Sequence, residues 1–290
     1  MKILYFLIVF LFFTPLVNAQ KIFDDFSDEE DDIIDTLIYD QSIQDLSTYV
    51  ISKNIISFSL QYNHNTYFSG REIGIPQYSL IPQVSYVHAN GIFASVSGLY
   101  YERLSPNWDY TAITLGYAKR FGNDKKFWGS ASFDWYFFSQ PANNPFRYAV
   151  NTGFGMDNDK KTFGTDLSVS FLFGDDESIQ LVSSTYLEIL LYRKKKQAFL
   201  LRPQLSLEIG QQTIPLARTI VFRGRTFTIV DPTDDFGFLN TQLKLPLLYS
   251  FANVDFEIGY VFNFPSPLKK EGALSPTNTF VFSLAYLFAF

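Results

Sequence analysis

The chain has 290 residues and no cysteine, which excludes disulfides and thiolate metal sites. Its net charge is −6 and it carries no nucleic-acid-binding motif, so no nucleic acid partner is expected. Aromatic residues make up 18% of the chain, yet after residue 19 no long apolar run of the helical membrane type follows.

The first 19 residues have the pattern of a secretory signal peptide. Lys2 supplies a positive charge, and residues 3–17 form an almost unbroken apolar run. The run is short for a transmembrane helix, which needs roughly 20 apolar residues. Residues 17–19 place small or modest side chains where a signal peptidase reads them. We therefore predict cleavage after Ala19, with an uncleaved anchor as the alternative.

Residues 20–50 form an acidic segment. They hold ten Asp and Glu against one Lys, a net charge of −9. This composition is typical of a disordered, solvated tail. The alternatives are a plug in a basic lumen, a docking strip for a periplasmic or envelope-complex partner, and a weak calcium site. An EF-hand loop is not predicted, because the acidic run lacks the required glycine and spacing. No metal site and no cofactor are expected.

Residues 51–290 show the alternation of membrane-facing strands. In several segments large apolar side chains alternate with small or charged ones, and successive side chains of a strand point to opposite faces. The clearest segments are residues 148–156, 163–173, 199–209, 254–264 and 280–290. A surface with lipid on one side and polar groups on the other requires this pattern. The sequence therefore predicts an all-β, antiparallel, up-and-down transmembrane barrel.

The last strand ends in alternating aromatic residues. Phe282, Tyr286, Phe288 and the terminal Phe290 share one face. This ending resembles the C-terminal signal read by the barrel-assembly machinery, and with the signal peptide it resembles the bacterial outer-membrane β-barrel superfamily. The resemblance implies a Gram-negative outer membrane, contact with its lipids and two periplasmic termini. The richness in Phe, Ile, Asn and Lys is typical of AT-rich Bacteroidota.

We predict twelve strands, with ten or fourteen as alternatives. The predicted strands are 54–67, 79–89, 92–103, 109–121, 127–140, 146–157, 161–174, 178–192, 198–211, 235–251, 254–265 and 278–290. An even number is the rule for single-chain bacterial barrels. Residues 212–234 are predicted as a loop that carries its own hairpin, and its insertion into the membrane would give fourteen strands. No long constriction loop is expected in the first three hairpins.

Strand parity predicts which side chains line the lumen. The charged candidates are Arg103, Arg120, Asp134, Arg147, Asp166, Glu188, Arg202, Glu208, Lys244, Asp255 and Glu257. Both signs interleave, whereas a pore selective for one ion sign would show an excess of charge. Glu188 and Arg202 are expected to pair. Five aromatic side chains are also expected to point inward and to narrow the pore: Trp128, Tyr136, Phe138, Tyr186 and Tyr192.

No catalytic residue is predicted. The two histidines, His64 and His88, fall at opposite ends of the predicted barrel and cannot cooperate. An outer-membrane lipid hydrolase is therefore the least favoured function. The leading hypothesis is a narrow passive channel, or porin, for small solutes. The alternative is a non-conducting scaffold or accessory subunit of a secretion or assembly complex, held through residues 20–50 or through outer loops.

Overall fold

The computed structural model describes residues 53–72, 76–122, 124–141, 144–194, 197–222, 225–269 and 271–290, and for residues 212–234 it describes the backbone. The predicted signal peptide, its cleavage site at Ala19 and the acidic segment 20–50 lie outside the described residues. No helix in the described part of the chain is long and apolar enough to span a membrane.

Twelve antiparallel strands form a closed barrel, as predicted. Their bounds are β1 Ile55–Asn63, β2 Ser79–Val87, β3 Ile92–Tyr101, β4 Trp108–Phe121, β5 Phe127–Phe138, β6 Phe146–Asp157, β7 Phe163–Gly174, β8 Glu177–Leu187 and Ile189–Lys194, β9 Gln197–Leu201 and Gln204–Phe222, β10 Arg225–Phe251, β11 Val254–Pro265, and β12 Thr277–Ala289. Each strand pairs with its sequence neighbours. The barrel closes where β1 pairs with β12, from Ile55 opposite Ala289 to Asn63 opposite Val281.

The side chains alternate between a buried inner face and an exposed outer face. On β12, Val281, Ser283 and Leu287 are buried, whereas Tyr286 and Phe288 are 46% and 49% exposed. Closure makes the buried set the interior of the barrel. The outer set is rich in Phe, Leu, Ile, Val and Tyr on every strand. An apolar surface of this extent is stable in lipid and would drive aggregation in water.

The two ends of the barrel differ. At one end, here called the turn end, short connections join the strands at residues 88–91, 122–126, 158–162, 195–196 and 252–253. At the other, here called the loop end, the connections include residues 64–78, 102–107, 139–145 and 266–276. Phe290 exchanges two backbone hydrogen bonds of 3.0 Å with Asn54, which fixes the end of the chain at the turn end.

β9 and β10 continue past the loop end as a long two-stranded arm. Their pairing runs from Gln204 opposite Lys244 to Phe222 opposite Arg225. Residues 212–234, predicted as a loop with its own hairpin, therefore extend two existing strands instead of adding two more. The count stays at twelve because the arm continues the pairing of the same two strands, after one register shift between Glu208 and Ile209.

Bulges change the parity of some predicted side chains. The pairing of β8 shifts between Leu190 and Tyr192, so Tyr192 pairs with Phe199 on the outer face and is 49% exposed. The prediction that Tyr192 points into the lumen was wrong for this reason. A similar shift between Phe146 and Tyr148 falls at Arg147, whose side chain is exposed at the loop end.

Candidate functional site

The interior of the barrel is the candidate functional site, and its turn end is apolar on one side. Ile55, Val87, Phe93 and Leu287 form a cluster together with Ala118 and Ala285, and Phe93 is fully buried. These residues come from β12 and β1 to β4, so they close one half of the interior against water. A twelve-stranded barrel has room for such filling, because its diameter lies between those of filled and open barrels.

The other half of the turn end holds a buried charged cluster. Arg120 of β4 donates a hydrogen bond of 2.5 Å to Asp157 of β6, and the Tyr186 hydroxyl donates one of 2.8 Å to the same carboxylate. The Arg202 guanidinium lies 4.1 Å from the centroid of the Tyr186 ring. Buried charges are tolerated when paired and hydrogen-bonded in this way. The cluster links β4, β6, β8 and β9 across the interior.

Glycine makes room for the two large rings of this region. A Cβ atom at Gly155 would overlap the indole of Trp128, and one at Gly164 would overlap the ring of Tyr186. Trp128 and Tyr186 are both buried, as their predicted inward orientation requires. Glu188 and Arg202 are likewise both buried on the inner face. Their direct pairing stays a prediction.

Further carboxylates line the lumen. Asp134 accepts hydrogen bonds from the Asn151 amide at 2.8 Å and from the Tyr136 hydroxyl at 3.3 Å. Lys244 and Glu257 form an ion pair of 2.8 Å. Asp255 is buried on the same inner face. Asp166 and Glu208 also have the inward parity, so nine of the eleven charged residues predicted to line the lumen share that face: Arg120, Asp134, Asp166, Glu188, Arg202, Glu208, Lys244, Asp255 and Glu257.

Two predicted lumen cations lie at the loop end instead. Arg147 pairs with Asp175 at 2.6 Å, with side chains 50% and 63% exposed. Arg103 lies 3.6 Å from Glu102 and is also exposed. Neither arginine reaches the buried interior. The predicted near balance of positive and negative charge in the lumen depended on both of them.

The connection between β1 and β2 folds into the lumen. Residues 65–72, here called the lumen hairpin, include a two-stranded ladder in which Tyr67 pairs with Glu72 and Phe68 with Arg71. The expectation that the first hairpins carry no long constriction loop was therefore wrong. Hydrogen bonds join the hairpin to inward side chains of β8 and β12: Ser69 accepts one from Gln180 at 3.4 Å, and Thr277 donates one of 2.9 Å to the Gly70 carbonyl.

Gly70 is required where the lumen hairpin meets the wall. Its φ of +76° lies in the left-handed region that favours glycine. A Cβ atom at this position would lie 2.7 Å from Oδ1 of Asn240, a fully buried side chain of β10. Both the backbone conformation and the close approach exclude a larger residue. The lumen hairpin is thus fitted to the inner face of β10.

Arg71 anchors the lumen hairpin. Its guanidinium donates two hydrogen bonds of 2.9 Å to Glu271, one to each carboxylate oxygen, and further ones to the carbonyls of Ser69, Leu239 and Ser266. Arg71 is only 7% exposed. Its hydrogen bonds hold the pKa of Glu271 below the ordinary value, against the opposing effect of burial. The anchor connects the first loop with the last one.

A polar cavity lies beside the lumen hairpin. Its volume is about 260 Å³, and its lining includes the amides of Gln61, Asn63, Gln242 and Asn263 and the ammonium of Lys244. On the opposite wall, Tyr110, Tyr136 and Phe138 form an inward aromatic patch with ring centroids 5.4–5.9 Å apart. The interior therefore presents polar groups on one wall and aromatic rings on the other.

The histidines occupy the ends of the barrel, as predicted. His64 follows β1 at the loop end, where the Tyr62 hydroxyl lies 3.3 Å from Nδ1, and His88 follows β2 at the turn end. Within the described ranges no group of three or more His, Cys, Asp or Glu side chains is placed to hold a metal ion.

Sequence reasoning missed Asp157 and the lumen hairpin. Asp157 is the last residue of β6, where strand parity is least certain. The signal for the hairpin was present in Gly70, a residue suited to positive φ, between Ser69 and Arg71. Its partner Glu271 lies 200 residues away along the chain, and no local pattern connects the two.

The closed barrel, its apolar outer face and its polar inner face define a transmembrane β-barrel. No family model matches the chain, and no curated protein matches it. The structure is similar to the KdgM porin (10% identity, 80% of this chain and 98% of that chain covered, TM-score 0.45). It is also similar to the NanC porin (12% identity, 80% and 98%, TM-score 0.45) and to an outer membrane channel from Pseudomonas putida F1 (10% identity, 87% and 98%, TM-score 0.46).

Proposed function

We propose that this protein is a narrow passive channel for small polar solutes in the bacterial outer membrane. One observation carries the proposal. The inner face of the closed barrel is lined by amides, hydroxyls and charged groups along most of its length, and a polar cavity of about 260 Å³ lies next to the lumen hairpin. A barrel that only needed to be filled would be served better by apolar side chains. In this proposal the turn end and both termini face the periplasm.

Single-channel recording tests the proposal directly. The refolded mature protein is added to a planar bilayer, and its insertion is verified independently by protection from protease in vesicles. We expect small, discrete conductance steps, because the lumen hairpin and the inward aromatic rings narrow the path. A silent membrane with verified insertion contradicts the channel function.

The second candidate is a non-conducting scaffold or accessory subunit of an envelope complex. The packed turn end favours it, because the cluster around Phe93 and the Arg120–Asp157 pair fill much of the interior there. In this case residues 20–50 are the docking segment for the partner. Comparing affinity-purified full-length protein with a variant lacking residues 20–50 tests this role. Loss of one stoichiometric envelope protein from the deletion variant supports it, and identical associated proteins contradict it.

The C-terminal aromatic residues supply a proposed contact with the barrel-assembly machinery. Tyr286, Phe288 and Phe290 lie on the outer face and are about half exposed, whereas Phe282 is less exposed. Removal of Phe290 should reduce the amount of protein in the outer membrane. As a control, the same variant is refolded into detergent micelles, where assembly does not depend on the machinery. Equal outer-membrane levels of the variant and the wild type contradict a signal role for Phe290.

A further inference from the structure

We infer that the lumen selects small cations, both alkali ions and protonated amines, over anions. The inference rests on the proposed channel function and specifies its substrate class. It follows from which charged residues the structure places on the inner face. The approximate balance of signs expected from the sequence is replaced there by an excess of carboxylates.

Carboxylates outnumber cations on the inner face in the described part of the barrel. Seven acidic side chains have the inward parity: Asp134, Asp157, Asp166, Glu188, Glu208, Asp255 and Glu257. Four cations share the face: Arg120, Arg193, Arg202 and Lys244. The pairs at the loop end, Arg71 with Glu271 and Arg147 with Asp175, are each neutral in sum. The wall therefore carries three more acidic than basic side chains.

Two of the wall cations form ion pairs with particular carboxylates. Arg120 pairs with Asp157 and Lys244 pairs with Glu257. Asp134 receives hydrogen bonds from the neutral side chains of Asn151 and Tyr136. A cation in the lumen would compensate the charge of Asp134, which no described ion pair does.

An unsatisfied oxygen is a second, independent observation. Oδ1 of Asp134 is buried and has no hydrogen-bond partner, although the residue is only 9% exposed and faces the interior. Burying an ionised oxygen without a partner is costly. A cation that approaches this oxygen removes that cost, whereas an anion raises it.

The geometry amplifies a small excess of charge. A narrow lumen with a low-dielectric wall concentrates the field of its carboxylates and raises the local concentration of counter-ions. Rings of Asp and Glu confer cation preference on pores for this reason.

Reversal potentials measured in a KCl gradient test the inference. The full mature protein is inserted in a planar bilayer with a tenfold higher KCl concentration on one side. We expect the reversal potential to be displaced from zero toward the equilibrium potential of potassium. Conductance with a reversal potential at zero or on the chloride side overturns the cation preference while the channel function stands. A silent membrane with verified insertion overturns both.

Two lumen variants and a matched control assign the effect to named carboxylates. Asp134→Asn and Asp255→Asn each replace one inward carboxyl group by an amide of nearly the same volume, and both should shift the reversal potential toward zero. Asp176→Asn makes the same substitution in an exposed loop, where Oδ1 accepts a hydrogen bond from the Glu177 amide, and should leave it unchanged. Equal shifts in all three variants, or no shift in the two lumen variants, overturn the inference.

Discussion

Replacement of Arg71 by methionine should free the lumen hairpin and enlarge the pore. Methionine keeps most of the side-chain volume but removes the charge and all five hydrogen bonds to Glu271, Ser69, Leu239 and Ser266. The barrel wall does not depend on these contacts, because its strands are joined by their own ladders. The substitution therefore weakens the attachment of the hairpin and leaves the closed sheet in place.

The size of the effect follows from the burial of the pair. Arg71 and Glu271 side chains are 8% and 14% exposed, and removal of one partner of a buried ion pair costs about 3–5 kcal/mol. Since every 1.4 kcal/mol is a factor of ten, the equilibrium between docked and released hairpin should move by roughly 100- to 4,000-fold. Glu271→Gln keeps an acceptor for the guanidinium, and its effect should be smaller.

Single-channel recording measures this equilibrium as the fraction of time spent in a state of larger conductance. Arg147→Met is the matched control, because the pair of Arg147 and Asp175 is exposed at the loop end and such pairs contribute little. We expect long openings of larger size for Arg71→Met and wild-type traces for Arg147→Met. If Arg71→Met gives the same conductance and dwell times as the wild type, the hairpin is not a removable constriction.

Three further predictions concern the same elements. Hydrogen bonding to Arg71 lowers the pKa of Glu271 below its ordinary 4.5, so the anchor is fully present above pH 4.5 and is lost as the pH falls through the lowered value. Larger openings should therefore appear only in acid, and Glu271→Gln should abolish that pH dependence. Gly70→Val should prevent docking against Asn240 and give large openings at neutral pH, whereas a trace like that of the wild type would refute the close fit. Arg120→Met should leave the buried Asp157 carboxylate without its ion pair and lower the free energy of unfolding by about 3–5 kcal/mol in urea titrations of vesicle-inserted protein, and adding Asp157→Leu should recover much of the loss.

The strands could be predicted because lipid imposes a strict period of two on every membrane-facing segment. The contrast between Phe288 or Tyr286 outside and Leu287 or Ala285 inside is set by local chemistry, and it fixes both the face and the approximate bounds of a strand. The orientation of side chains near a bulge could not be predicted in this way. Tyr192 and Arg147 fall next to register shifts, which depend on how two strands pair and leave no mark in the alternation.

The interior of the barrel was harder to predict than its wall. The lumen hairpin is held by Arg71 and Glu271, from loops at opposite ends of the sequence, and such a contact exists only once the barrel has closed. The acid excess of the lumen could not be read from parity alone. It required the exposure of Arg103 and Arg147 and the inward position of Asp157, all three of which lie at strand ends.

The arm formed by β9 and β10 offers a way to determine which side of the cell the barrel opens to. Its twelve residue pairs from Gln211 opposite Phe236 to Phe222 opposite Arg225 span about 40 Å at roughly 3.3 Å per residue. A peptide epitope or a protease site inserted at residues 223–224 would therefore stand well clear of the headgroups. Because every strand of the wall is completed below that point, whole cells labelled or nicked there would report orientation from an otherwise intact barrel.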